Sequence, residues 1–105
     1  MSVPETGLYL RSLAAVTSLA CYETFKAYVT STTSKESLET RVALATDVQK
    51  CSNNVSKELT AKCQDDFTGY MDCLKKNKDN VVKCVALKDT LQECAAMNKI
   101  GELGN

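Results

Sequence analysis

Histidine and tryptophan are absent from the 105 residues. Without histidine the chain lacks the side chain most used for general acid–base work near neutral pH and for zinc ligation. Proline occurs once and glycine four times, too few for the many tight turns of an all-β fold. Basic and acidic residues balance at 13 each, which excludes a nucleic-acid binder that works through a basic excess. No apolar run reaches the length of a membrane span. The longest candidate, 8–21, is interrupted by Arg11, Ser12, Thr17 and Ser18. The opening MSVPETGLYL has neither the charged n-region nor the apolar h-region of a secretory signal, and Glu5 argues against an Arg-rich, acid-free transit peptide. What the chain does have is six cysteines. Either the thiols stay reduced or hold metal in the cytosol, or the chain reaches an oxidising compartment by another route.

The cysteines are Cys21, Cys51, Cys63, Cys73, Cys84 and Cys94. Nine residues separate Cys63 from Cys73, and nine separate Cys84 from Cys94. Zinc knuckles need ligands two to four residues apart, and redox pairs use C-x-x-C. Neither spacing occurs, so no metal and no cofactor is expected. Around the cysteines the apolar pattern is helical: Val55, Leu59, Cys63, Phe67, Tyr70 and Leu74 recur at steps of three and four. Val81, Cys84, Val85, Lys88, Leu91 and Ala95 do so with one polar interruption. The polar stretch 75–80 breaks the two runs. Asn53 or Asn54 is the expected N-cap of the first helix and Asp79 or Asn80 that of the second. Two helices joined by a short loop make an antiparallel hairpin.

In such a hairpin facing residues share a constant sum of residue numbers. Cys63 with Cys94 and Cys73 with Cys84 both sum to 157, so the nested pairing fits one straight hairpin. A crossed pairing would ask cysteines about 15 Å apart along the axis to meet.

The N-terminal half carries a worn copy of this unit. CYETFKAYVTS at 21–31 and CQDDFTGYMDC at 63–73 share C-x3-F-x2-Y, while RVALATDVQKC at 41–51 and CVALKDTLQEC at 84–94 share Val-Ala-Leu and a glutamine at the same offsets. Ser31 and Arg41 stand in the two inner cysteine slots. Cys21 with Cys51 and Ser31 with Arg41 both sum to 72, which leaves Cys21–Cys51 as the outer bridge of a first hairpin without an inner one. Its connector, 31–37, is polar, with Thr33 and Glu36 a capping-box candidate. The sequence therefore predicts an all-α chain of two tandem disulfide-stapled helical hairpins, the first degenerate. Residues 1–52 form the N-terminal hairpin with its leading segment, and 53–105 the C-terminal hairpin and a short tail. Two small hairpins have little core. Part of the apolar stripe Leu8, Leu10, Leu13 and Val16 is expected to pack on the chain's own second hairpin or on a neighbour.

Paired helices with C-x9-C on each resemble the CHCH proteins of the mitochondrial intermembrane space. The tandem frame, the Cys51-x11-Cys63 linker, the FTGY segment before Cys73 and the NKIG at 98–101 are similar to the twin-CHCH accessory-subunit family of mitochondrial complex I, the subunit-eight family of the NADH:ubiquinone oxidoreductase alpha subcomplex. The departures are Ser31 and Arg41 in two cysteine slots and a hairpin loop of ten residues between Cys73 and Cys84. The resemblance implies a non-catalytic structural subunit of the respiratory chain. It would lie on the intermembrane-space face, peripheral on the inner membrane, with other complex I subunits as partners and an intermembrane-space oxidoreductase as a transient partner during import. Phe67 and Tyr70, six and three residues before Cys73, resemble the stripe that docks that oxidoreductase; the plainer reading is hairpin core. Phe25 and Tyr28 repeat the stripe but precede Ser31.

No nucleophile–base pair, glycine-rich phosphate loop or metal box appears, so no enzyme is expected. Asp65 and Asp66 are neighbours about 100° apart on a helix and read as a solvated face. Lys75, Lys76 and Lys78 form a basic loop that suits a solvated hairpin tip better than a phospholipid surface. The rival readings are a soluble CHCH assembly factor, or an accessory subunit of another respiratory complex or of ATP synthase. Copper delivery is disfavoured, because three bridges consume all six cysteines.

Overall fold

The computed structural model describes residues 3–104, with side chains from residue 7 onward. The described residues form five α-helices: α1 (Val3–Ala20), α2 (Tyr22–Thr33), α3 (Leu38–Lys62), α4 (Gln64–Lys76) and α5 (Val85–Met97). Short 3-10 turns span Val81–Cys84 and Gly101–Gly104, and no strand occurs among the described residues. The chain is all-α, with α2 and α3 forming one antiparallel hairpin and α4 and α5 the other.

Cysteines mark the joints between helices. Cys21 (φ −125°, ψ 26°) separates α1 from α2, and Cys63 (φ −132°, ψ 31°) separates α3 from α4. At both, the hydrogen-bond ladder runs on through the kink. The Cys21 amide donates to the Thr17 carbonyl and the Phe25 amide to the Cys21 carbonyl, each at 2.9 Å; Cys63 and Phe67 repeat the pair at 2.8 and 2.9 Å. The helix is bent there, not ended, so α1–α2 and α3–α4 are two bent rods joined at 34–37.

This corrects two expected caps. Asn53 and Asn54 lie inside α3, which is continuous through Cys51 to Lys62. The burial of Val55 and Leu59, both 0% exposed, outweighs the low helix propensity of the asparagines. At the other hairpin loop, Thr33 ends α2 and Ser37 caps α3, its hydroxyl accepting from the Thr40 amide at 3.2 Å. The capping box at Thr33 and Glu36 does not form. Asn80 does cap the Val81–Cys84 turn, its Oδ1 accepting from the Val82 amide at 3.1 Å.

Three helix ends close alike. The Glu36, Asp79 and Ile100 amides donate five residues back, to the Ser31, Leu74 and Ala95 carbonyls, at 3.1, 2.8 and 3.0 Å. Each follows a lysine at positive φ: Lys35, Lys78 and Lys99. This is the Schellman closure with lysine in the left-handed slot that usually holds glycine.

The core lies on one side of the second hairpin, where α1 covers it. Leu8, Leu13, Val16 and Ala20 from α1 meet Val55, Leu59, Phe67, Tyr70, Leu74, Leu91, Ala95 and Ile100. Tyr9 sets its ring edge-on to Phe67 at 5.4 Å and hydrogen-bonds the Ser56 hydroxyl. Gln92 Nε2 donates to the Ala15 carbonyl at 2.8 Å. The part of the stripe that packs is Leu8, Leu13 and Val16; Leu10, 57% exposed, stands about 200° from Leu8 around the helix and faces away.

The tail after Cys94 locks the two hairpins together. Ile100 is fully buried, and Gly101 turns the chain at φ 58° where any side chain would run into Ala20 and Val55. Glu102 then caps α2. Its carboxylate accepts from the Glu23 and Thr24 amides at 2.8 and 3.1 Å and from the Thr24 hydroxyl, which suits an anion at a helix N-terminus. No helix among the described residues is long and apolar enough to cross a membrane.

Candidate functional site

The structure joins Cys21 to Cys51, Cys63 to Cys94 and Cys73 to Cys84, with Cα–Cα separations of 6.0, 6.1 and 5.9 Å. These lie in the ordinary disulfide range, and no cysteine is left free. Each bridge pairs a cysteine at a helix joint with one inside a helix. The joint cysteines Cys21, Cys63 and Cys84 are 1–3% exposed, whereas Cys51, Cys73 and Cys94 are half-buried. A thiol reagent or a partner thiolate therefore meets the same partner of every bridge first.

In the second hairpin both half-buried cysteines share a local device. Asn77 Nδ2 donates to the Cys73 carbonyl at 2.9 Å and lies 3.5 Å from Cys73 Sγ; Asn98 Nδ2 donates to the Cys94 carbonyl at 2.8 Å and lies 3.5 Å from Cys94 Sγ. Each asparagine stands four residues after its cysteine and ends the helix there. Four residues after Cys51 stands Val55, which is buried, and α3 runs on.

Phe67 and Tyr70 share one face of α4 and are both 2% exposed. Phe67 packs on Tyr9, and burial pushes the Tyr70 phenol above its ordinary pKa. Cys73 stands one turn further on, half-buried and bonded to Cys84. In the folded chain the aromatic pair is core and offers no surface to another protein. Asp65 and Asp66 occupy the first turn of α4 and Lys75 and Lys76 its last, a charge order that suits the helix dipole. Lys78 stands in the loop beyond; its neighbour Asp79 pairs with Arg11 at 2.8 Å, both side chains about half exposed. Such a pair adds little stability. No group of three potential metal ligands occurs among the described residues.

In the first hairpin the vacant inner slots hold a polar pair. Ser31 is buried and donates its hydroxyl to the Tyr28 carbonyl at 2.6 Å. Arg41 buries its Nε, which has no hydrogen-bond partner among the described residues. The flank of this hairpin is apolar and uncovered: Tyr22, Phe25, Val29, Leu38 and Val42 are each more than 40% exposed. Sequence reading missed this flank, the Glu102 cap and the role of cysteines as joints. The repeat gave no signal for the first, because Phe25 matches Phe67, which is buried.

Residues 57–98, which hold the second hairpin, match the family model described as CHCH-CHCH-like Cx9C, IMS import disulfide relay-system. No curated protein and no solved structure matches the chain. The second hairpin is thus similar to the Cx9C proteins of disulfide-relay import into the intermembrane space, and the first is tied to it by the repeat alone.

Proposed function

We propose that the chain is a non-catalytic accessory subunit of mitochondrial respiratory complex I, peripheral on the intermembrane-space face of the inner membrane, where it supports assembly and stability. The observation that carries the reading is the tandem cysteine frame with every thiol paired. The resemblance to the subunit-eight family and the Cx9C match over 57–98 support the location. A rigid, prestapled hairpin pair contacts several neighbours with little ordering cost at binding. Loss of the chain then lowers the amount of assembled complex, not the turnover of each copy. The test is a native gel of a depleted strain with NADH oxidation measured per intact complex. A normal amount of complex with a strongly reduced rate per complex would contradict the reading. Migration of the chain with a different respiratory complex, or in none, would also reject it.

Import follows from the same frame. Phe67 and Tyr70 serve twice in succession, first as the surface that brings an intermembrane-space oxidoreductase to Cys73 in the unfolded chain, then as core. Their burial in the folded protein requires docking to precede folding, and bridge closure then traps the chain. Phe67→Ala with Tyr70→Ala slows mixed-disulfide formation between the reduced chain and the oxidoreductase several-fold. An unchanged rate leaves the two residues as core only.

A further inference from the structure

The internal repeat gives the first hairpin a template for what covers it. Superposed by sequence, Phe67, Tyr70, Leu91 and Ala95 of the second hairpin correspond to Phe25, Tyr28, Val48 and Ser52 of the first. In the second hairpin those four residues are buried in the core that α1 caps. In the first, Phe25 is 53% exposed, Tyr28, Val48 and Ser52 are half-buried, and the face opens as a groove of about 310 Å³. Ala14 and Ser18 of α1 form its near wall and Tyr22 stands at its edge. The polar contact to the covering helix has a counterpart as well. Gln92, which bonds the α1 backbone at Ala15, corresponds to Gln49, which is exposed.

We infer that this face of the first hairpin is a docking site for an amphipathic α-helix of another protein, seated on α2 and α3 as α1 is seated on α4 and α5. The helix buries small and branched apolar side chains against Phe25 and Val48 and offers a backbone carbonyl to Gln49. Arg41 adds a charge requirement. It stands two turns of α3 from Val48, about 10 Å along the axis, with Nε already stripped of water and unpartnered. A carboxylate on the incoming helix pairs with the terminal nitrogens of this guanidinium, which unlike Nε are not buried without a partner. The template makes the occupant a helix, and α1 cannot take that part in this copy or in a second one, because its apolar face (Leu8, Leu13, Val16) is already buried on the second hairpin. Helix-in-groove recognition of this kind reads anchors at i, i+3 or i+4 and i+7.

The inference deepens the accessory-subunit reading and rests on it for where the helix is sought. The experiment uses the full chain in mitochondria, with a photo-crosslinking residue at position 25 and a control at Leu87, which is exposed on the second hairpin. Phe25→Asp and Arg41→Glu are compared for incorporation into complex I on native gels, with the melting of each purified chain as the folding control. The expected result is a crosslink from position 25, and not from 87, to a helix with apolar i, i+3/i+4 spacing and an acidic residue. Each substitution lowers incorporation at least tenfold with little change in melting, and reversing the charge of that acid restores Arg41→Glu. Wild-type incorporation of Phe25→Asp overturns the docking site and leaves the accessory-subunit reading standing. A crosslink to a second copy overturns it too. A crosslink to such a helix in a different complex supports the docking site and overturns the assignment to complex I.

Discussion

Phe25 and Phe67 occupy the same place in two copies of one motif, each donating its amide to a kink cysteine four residues back. One is 53% exposed and the other 2%. The local sequence does not make this difference, since both copies form the same bent helix. It comes from α1, a single helix that can lie over only one hairpin. The second hairpin has α1, two bridges and nearly all the core. The first has one bridge, a Ser31–Arg41 pair where the second bridge would be, and a C-terminal tail that reaches back to cap α2. A repeat that keeps its backbone can therefore divide its labour, one copy holding the fold and the other keeping a face free.

The comparison breaks most severely if the second hairpin loses its outer bridge. A closed loop of about 30 residues contributes roughly 3–4 kcal/mol in the chain-entropy account, a large share of the stability of a small domain. Cys63 is also the joint between α3 and α4. Cys63→Ser thus lowers the melting temperature and steady-state level more than Cys21→Ser, because α1, α4 and α5 all pack around that joint. Equal losses, measured by thermal melts and immunoblot, would show that the two hairpins share the load.

Much of this was legible before any coordinates, for a covalent reason. Nine-residue spacings on helical stripes admit few registers, so the all-α hairpins and the nested frame follow from the residue numbers. The buried positions Val55, Leu59, Phe67, Tyr70 and Leu74 follow from periodicity. What was not legible depends on distance in sequence or on competition. Asn53 and Asn54 look like caps and lose to the burial of Val55. Leu10 looks like a member of an apolar stripe, but alternate positions on a helix face opposite ways. The Glu102 cap joins residues 79 apart, and a single glutamate near a chain's end carries no mark of such a partner. In the candidate site the cysteines were readable, whereas the open flank was not, since a stripe such as Tyr22, Phe25 and Val29 reads equally well as core.

The join between the hairpins is the next place to cut. Gly101 has φ 58°, and a Cβ there would stand 2.8 Å from the Ala20 carbonyl oxygen and 3.1 Å from Val55 Cγ2. Gly101→Val therefore suffers both left-handed strain and overpacking, about 2–4 kcal/mol together. Hydrogen exchange should show the loss concentrated in α2 and the start of α1–α2 contact with the tail, with α4 and α5 still protected. Loss of protection in α4 and α5 first would mean that the tail serves the second hairpin instead.

The opposite manipulation gives the first hairpin what it lacks. Ser31→Cys with Arg41→Cys places thiols in the two slots whose numbers match the Cys73–Cys84 pair. A loop of about a dozen residues is worth roughly 2–3 kcal/mol when closed. The double variant should lose two hydrogens by mass on oxidation, melt higher, and yield a 31–41 linked peptide on non-reducing mapping. If the docking inference holds, the same variant is more stable alone yet poorer at joining its complex, because Arg41 has gone. Stability and incorporation rising together would separate the slot from docking.

The smallest expected effect tests the cap. Burial pushes the Glu102 carboxyl pKa up, but the hydrogen bonds from the Thr24 hydroxyl and the Glu23 and Thr24 amides outweigh it and hold the group below its ordinary value. A carboxyl whose pKa is lower folded than unfolded adds stability above its unfolded pKa and loses that contribution as pH falls through the folded value. Glu102→Gln keeps the shape and part of the hydrogen bonding while removing the charge. At pH 7 the variant should melt a few degrees below the parent, by analogy with helix caps worth about 1 kcal/mol. The gap should shrink as pH falls below the ordinary carboxyl range and through the lower folded value, where the parent carboxyl gains its proton. Raised salt should narrow it at neutral pH, since the carboxylate is close to the surface and its attraction to the α2 N-terminus is screened. A gap that stays constant from pH 7 to pH 3 would assign the effect to packing of the tail around Ile100 and Gly101, and would leave the charge at position 102 without a part in joining the two hairpins.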